Sequence, residues 1–160
     1  MIKDNDTPLV TVGIPTYNRP AGLERTLDCI LNQSYRYLEV IVSDNCSSDP
    51  AVVPILEKYV LQDKRVSFFI QEKNLSIVPN FQFLLDKASG DFFMWAADDD
   101  FWENNFIEVC VNGMLENKDT SLCMTDLKIV DAEGKAHAGR LNRGFMQDNL
   151  LARNFNFVKS

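Results

Sequence analysis

Val10-Thr11-Val12-Gly13-Ile14-Pro15-Thr16-Tyr17-Asn18-Arg19-Pro20 is the stretch whose reading decides the fold, because the chain changes period inside it. Val10 to Ile14 is a short β-branched run closed by Pro15, and it predicts a buried strand. After Asn18-Arg19-Pro20, Leu23, Leu27, Ile30 and Leu31 fall at i, i+4, i+7 and i+8, one face of a helix whose first turn accepts Pro20. The unit is β–loop–α, and it recurs. Leu38 to Ser43 predicts a second strand, Asp44-Asn45-Cys46-Ser47-Ser48-Asp49 a polar loop, and Ile55, Leu56, Tyr59 and Val60 a second helix. Val66 to Ile70 predicts a third strand. Phe81, Leu84, Leu85 and Ala88 mark a third helix, with Gly90 expected to end it in a left-handed conformation. Phe92 to Ala96 predicts a fourth strand, Phe106, Val109, Cys110, Gly113 and Met114 a fourth helix, and Leu122 to Val130 a last strand before the turn Asp131 to Lys135. Strands alternating with helices imply an α/β fold with a largely parallel sheet covered on both faces.

The 160 residues are 46% hydrophobic, enough for one sizeable core. The expected organisation is one domain over 1–135, followed by the start of a further segment over 136–160. A net charge of −7 argues against nucleic acid as a partner, since such proteins carry a basic face to neutralise phosphates. Cys29, Cys46, Cys110 and Cys123 show no C-x-x-C spacing and have His137 alone for company, so zinc is not expected. Cys29, Cys110 and Cys123 sit in apolar patterns and read as buried thiols of a reducing compartment. No targeting region opens the chain and no apolar run approaches a bilayer span, so the expected location is cytoplasmic, at most at the inner face of the membrane. In the tail, Arg140, Arg143, Arg153 and Lys159 interleave with Phe145, Phe155 and Phe157. That pattern fits a lipid-facing or acceptor-facing edge; apolar contacts awaiting a partner segment explain it more simply.

Ligands of open α/β sheets bind outside the carboxyl ends of the strands. That rule selects three loops: Pro15 to Arg19, Ser43 to Asn45, and Ala97-Asp98-Asp99-Asp100. The last is the most informative, because three carboxylates at the end of an apolar strand need a cation if they are taken from water. Mg²⁺ or Mn²⁺ is commonly held by one or two carboxylates plus the phosphates of a substrate, which points to a nucleoside diphosphate. A planar base would stack on Tyr17 and donate an imide N–H to Asp44. Each feature also has a plainer explanation: a strand end at Pro15, a core aromatic at Tyr17, a helix cap at Asp44, a solvated turn at the aspartates. Their coincidence at one sheet edge favours the site. No G-x-G-x-x-G follows the first strand and no P-loop motif occurs.

With those residues in place, the chain from about Leu9 to Lys135 resembles family 2 glycosyltransferases of the GT-A fold, of the kind that builds bacterial surface polysaccharides. The resemblance rests on Val12 to Arg19, on Asn32-Gln33-Ser34 at the end of the first helix, on Glu39 to Asp49, and on Ala97-Asp98-Asp99-Asp100-Phe101-Trp102. It implies a Rossmann-like three-layer α/β/α sandwich and an inverting transfer of a sugar from a nucleotide-diphosphate donor, UDP by expectation, to a glycan or glycolipid acceptor. Pro15, Thr16 and Tyr17 match the first nucleotide-contacting loop, Asp44 the carboxylate that binds uracil, and Asn80 a further nucleotide contact. Asp98, Asp99 and Asp100 match the metal and diphosphate motif, with Mn²⁺ or Mg²⁺ as cofactor. In an extended segment Asp98 and Asp100 share a side, whereas the resemblance favours Asp99 as the main ligand; the site is assigned to all three. The family's catalytic base lies on a later acidic segment that the resemblance does not reach, so Asp126 and Asp131 are not assigned that role and the chain reads as a donor-binding portion. The alternatives are a nucleotide-sugar-binding or interaction module without transfer and, more remotely, a metal-dependent nucleotidyltransferase, whose glycine-rich basic loop is not found after the first strand.

Overall fold

The computed structural model describes residues 7–117, 119–125, 128–130 and 136–140, the last two stretches as backbone. Met1–Asn105 and Phe106–Ser160 are two compact units. In the first, β1 (Val10–Thr16), α1 (Pro20–Leu31), β2 (Leu38–Asp44), α2 (Val52–Gln62), β3 (Val66–Ile70), α3 (Ile77–Lys87) and β4 (Phe92–Trp95) alternate along the chain. The strands form one sheet in the order β3-β2-β1-β4, every pair parallel. Successive right-handed crossovers from β1 to β2 to β3 place α1 and α2 on one face, where they touch. The return from β3 to β4 runs the other way and sets α3 on the opposite face, against β1 and β2. This is the expected three-layer α/β/α arrangement.

The central strand is longer than its apolar run suggested. β1 continues through Pro15 to Thr16, and all seven of its residues are buried. Val12 and Ile14 pack with Val40 and Val42 of β2 in a core that Leu23, Leu27, Ile30 and Leu56 help to fill, all fully buried. Each such aliphatic side chain contributes about 1.5–3 kcal/mol of transfer free energy. α1 starts at Pro20 as expected, but the fourth member of its buried face is Thr26 rather than Leu31. α3 begins at Ile77, four residues before Phe81, because Pro79 falls in a first turn whose N–H groups have no intrahelical partner in any case. Gly90 does not end that helix. Ala88 caps it in extended geometry, and Gly90 is a glycine for closeness instead: a Cβ there would lie 2.7 Å from both Leu9 O and Thr11 N, while its own N–H donates to Thr11 Oγ1 at 2.9 Å.

In the second unit, α4 (Phe106–Glu116) buries Ile107 and Val111, and β5 (Lys128–Val130) pairs antiparallel with β6 (Ala136–Arg140). Ser121–Thr125 is irregular, so the expected strand does not begin at Leu122; among the described residues it is seen at Lys128–Val130, opposite β6. The turn at 131–135 and the tail beyond 140 lie outside the described residues. The four thiols are half-buried and unpaired by disulfide, so Cys29, Cys110 and Cys123 are less enclosed than expected. Among the described residues no helix is long and apolar enough to cross a membrane.

Candidate functional site

Parallel pairing brings the carboxyl ends of β1, β2 and β4 to one edge. Thr16 is opposite Asp44 across β1 and β2, and Asp44 opposite Ile70. Gly13 is opposite Trp95 in β4, and three residues beyond each member of that pair stand Thr16 and Asp98. Thr16 and Asp44 share one row of the sheet, and the turn after β4 brings Asp98 within hydrogen-bond reach of Thr16. A cleft of about 350 Å³ opens at this edge, lined by Pro15, Thr16 and Tyr17 of the first loop, Asn80 of α3, and Asp98 and Asp99 after β4. That size suits a small-molecule ligand.

The aspartates do not behave alike. Asp98 is 8% exposed, and its Oδ2 accepts from Thr16 Oγ1 at 2.9 Å. Its Oδ1 meets Arg19 Nη1 at 3.2 Å, and the same nitrogen lies 2.9 Å from Asp99 Oδ2. Burial pushes the Asp98 carboxyl above the usual carboxylate range, against the opposing pull of the Thr16 hydroxyl and Arg19. The chain turns at this point, with Asp100 N–H donating to Ala97 O at 3.4 Å, so the extended geometry that would align Asp98 with Asp100 does not exist. Asp98 and Asp99 converge; Asp100 is exposed and does not line the cleft. Its carboxyl is also raised, by partial burial and the neighbouring Asp99.

α1 seats this turn. Gly22 meets the carbonyl of Asp98, whose oxygen an added Cβ would overlap, and one turn later Thr26 Oγ1 donates to Ala97 O at 3.3 Å. Asn80 is buried and held by Ser43: Ser43 Oγ donates to Asn80 Oδ1 at 2.6 Å, Asn80 Nδ2 donates to Ser43 O at 3.3 Å, and Gln71 Nε2 donates to Ser43 Oγ at 2.9 Å. One amide hydrogen of Asn80 is left over by this scheme. Asp44 does not line the cleft. Its carboxylate is turned into its own loop, accepting from Ser47 N–H at 3.2 Å and from Ser47 Oγ at 2.5 Å, and its neighbour Asn45 reaches the lining instead.

Among the described residues, the non-glycine residues at positive φ are Asn18, Cys46 and Ser76, at 54°, 63° and 67°, and all three stand in loops at this end of the sheet. Asn18 Oδ1 accepts from the N–H groups of Ser48 and Asp49 at 2.8 and 3.0 Å, tying the first loop to the second. Asn45 Oδ1 accepts from Leu75 N–H at 2.8 Å, tying the second to the start of α3. Backbone strain of this kind gathers at functional sites and persists where surroundings over-determine it. Arg19, Asn45, Ile77 and Phe81 also line the cleft, although none of them was assigned to the site from the sequence. For Arg19 and Asn45 the signal was their position in loops already selected; Ile77 and Phe81 needed the true start of α3.

Two carboxylates that share one guanidinium nitrogen already hold a cation between them. The donor set, hard oxygens from two side chains at the mouth of an open cleft, fits a divalent ion completed by phosphate and water. Among the described residues no group of three acidic, cysteine or histidine side chains gathers to hold a metal.

A sequence model described as glycosyl transferase family 2 matches residues 11–158. An uncharacterized glycosyltransferase of Haemophilus influenzae is 34% identical over 110 residues, covering 69% of this chain and 44% of the relative. The putative teichuronic acid biosynthesis glycosyltransferase TuaG of Bacillus subtilis is 31% identical over 112 residues, covering 70% and 44%. The GalNAc(5)-diNAcBac-PP-undecaprenol beta-1,3-glucosyltransferase of Campylobacter jejuni is 40% identical over 97 residues, covering 58% and 30%. The chain thus spans less than half the length of these curated relatives. Among solved structures, the mannosyltransferase PcManGT of Pyrobaculum calidifontis, in complex with GDP-Man and Mn²⁺, superposes with a TM-score of 0.62 at 24% identity over 67% of this chain and 32% of its own. TarS of S. aureus in complex with UDP-GlcNAc gives 0.63 at 20% over 76% and 40%. At these identities the likeness shows the fold, and that fold is the GT-A arrangement.

Proposed function

This chain belongs to glycosyl transferase family 2, and we propose that its cleft binds the nucleotide-diphosphate half of a sugar donor, UDP by preference, for metal-dependent inverting transfer in bacterial polysaccharide or glycan assembly. The observation that carries the reading is the convergence of Asp98 Oδ1 and Asp99 Oδ2 on one cationic nitrogen beside Thr16, at the sheet edge where the strand holding Asp44 also ends. Asp98 and Asp99 hold Mn²⁺ or Mg²⁺, with Thr16 fixing Asp98 by its second oxygen. When bound, the metal neutralises charge on the departing diphosphate. Tyr17, 45% exposed, offers a ring face to the base, and Ile77, 73% exposed, lines the same cleft. Asn80 directs its remaining amide hydrogen to the nucleotide, and Asp44 accepts from the uracil imide after its loop adjusts around Ser47. The relatives named for lipid-linked and teichuronic glycans support polysaccharide assembly as the setting.

A second reading, a module that binds the donor without transferring it, is favoured by one feature. The acidic side chains among the lining residues are Asp98 and Asp99, and both are engaged by Arg19. Neither is free to take the proton of an acceptor hydroxyl, so transfer needs a base other than the acidic residues that line this cleft. The first test is calorimetric titration of UDP with Mn²⁺ and with chelator. Binding that requires the metal and disappears in Asp98→Ala supports the reading; equal binding with chelator, or binding undisturbed by Asp98→Ala and Asp99→Ala, refutes it.

A further inference from the structure

We propose that Arg19 is an exchangeable counter-cation of the Asp98–Asp99 pair, which a divalent metal must displace to bind. The inference rests on the reading of that pair as metal ligands. Asp98 has two oxygens, and Oδ2 is taken by the Thr16 hydroxyl. The other, Oδ1, is the one that Arg19 holds, and the same nitrogen takes Asp99 Oδ2. A metal joining the two carboxylates therefore claims oxygens that already have a cationic partner. The competition is geometric and not only electrostatic.

Three features make the exchange feasible. The Arg19 side chain is 54% exposed and Asp99 60%, so this bridge lies at the mouth of the cleft and can open without unpacking the core. Exposed ion pairs contribute little each, so a metal can outcompete the guanidinium. Arg19 also precedes Pro20 at the start of α1 with no side-chain hydrogen bond to the helix, so releasing the guanidinium leaves the cap intact. The bridge relieves the repulsion between adjacent carboxylates, and it sets the metal's affinity below what the bare pair would give.

The test titrates Mn²⁺ alone into the 160-residue chain, following free Mn²⁺ by electron paramagnetic resonance, for the wild type, Arg19→Gln, Arg19→Lys and Arg25→Gln. Arg25 stands on the same helix with its guanidinium 4.6 Å from the Phe101 ring centroid, and its removal deletes one charge without touching the bridge. Arg19→Gln should tighten the Mn²⁺ dissociation constant about tenfold, Arg19→Lys less, and Arg25→Gln by less than about twofold. In thermal melts Arg19→Gln should fall below wild type in chelator and match it in saturating Mn²⁺. Unchanged or weaker Mn²⁺ binding in Arg19→Gln, equal tightening in Arg25→Gln, or a melting gap that persists in Mn²⁺ would overturn the proposal. UDP titration separates the failures. If wild type binds UDP only with Mn²⁺ while Arg19→Gln leaves Mn²⁺ affinity unchanged, the counter-cation falls and the donor site stands; if no variant binds Mn²⁺, both fall.

Discussion

Gly22→Ala should damage the site more than the fold. An added Cβ would overlap the Asp98 carbonyl oxygen and lie 3.3 Å from the carbonyl carbon, contacts with main chain that no rotamer change relieves. To restore ordinary contact, residues 97–98 and α1 must separate by roughly 1 Å. Overpacking of this kind costs about 1–3 kcal/mol, and alanine's better helix propensity returns up to about 1 kcal/mol, so the net loss is about 0–2 kcal/mol. A domain with a typical stability of about 5–15 kcal/mol stays folded. The same separation strains the Thr26 hydroxyl bond to Ala97 O and moves Asp98 against Thr16 and Asp99. Losing one well-placed charged contact costs about 1.5–3 kcal/mol, so metal-dependent UDP binding should weaken by at least about tenfold. Gly113→Ala is the control, because its nearest neighbour outside α4 is Cys123 Sγ at 3.8 Å. It should raise stability by up to about 1 kcal/mol and leave UDP binding unchanged. Urea denaturation and titration calorimetry read the two effects. Were Gly22→Ala to match Gly113→Ala in both, the seat on α1 would not position the aspartate.

Asn18→Ala should cost about 1–3 kcal/mol by chemical denaturation, since it loses the ties to Ser48 and Asp49 and leaves alanine at positive φ; Asn18→Gly, free of the strain, should lose about 1 kcal/mol less. Arg65 holds the Asp63 carboxyl below the usual carboxylate range through a forked bridge of 3.0 and 2.7 Å. A depressed folded pKa contributes stability above the unfolded value that is lost as pH falls through the folded one. Asp63→Asn should therefore be less stable at pH 7 by about 1–3 kcal/mol, and the gap should close at the acid end of a pH series of urea melts. Burial, with the neighbouring Cys123 adding to it, pushes the Cys110 thiol up to about 12. Iodoacetamide at pH 8.5 should leave Cys110 unmodified in the folded chain and alkylate it in denaturant, as peptide mass analysis would show; rapid labelling of the folded chain would contradict that environment.

How much of this was legible in the sequence follows the range of the interactions concerned. Period and punctuation are local, and they located β1 to β4 and the helices between them to within a few residues. Where tertiary contact overrides a local signal the reading slipped: Gly90 looked like a helix terminator but answers to Leu9 and Thr11, and the strand expected from Leu122 is irregular over Ser121–Thr125, while Lys128–Val130 pairs with β6. The site divides in the same way. Topology alone forces the loops after parallel strands to one edge, so Pro15, Thr16, Tyr17, Asp98 and Asp99 were named in advance and share a cleft, which Asn80, named from the family resemblance, also lines. Which carboxylates converge is a different kind of fact. It depends on the turn from Ala97 to Asp100 and on Gly22 and Thr26, residues more than seventy positions away. Asp44 shows the limit most sharply, since hydrophobic pattern placed it at the correct strand end, yet its carboxylate orientation is set by Ser47, three residues on. A hydroxyl so near in sequence competes for any aspartate at a loop entrance. If uracil is to meet Asp44, Ser47 has to yield, and replacing it with alanine should free the carboxylate: Ser47→Ala tightening UDP binding would support that account, and unchanged or weaker binding would place base recognition on Asn45 and Asn80.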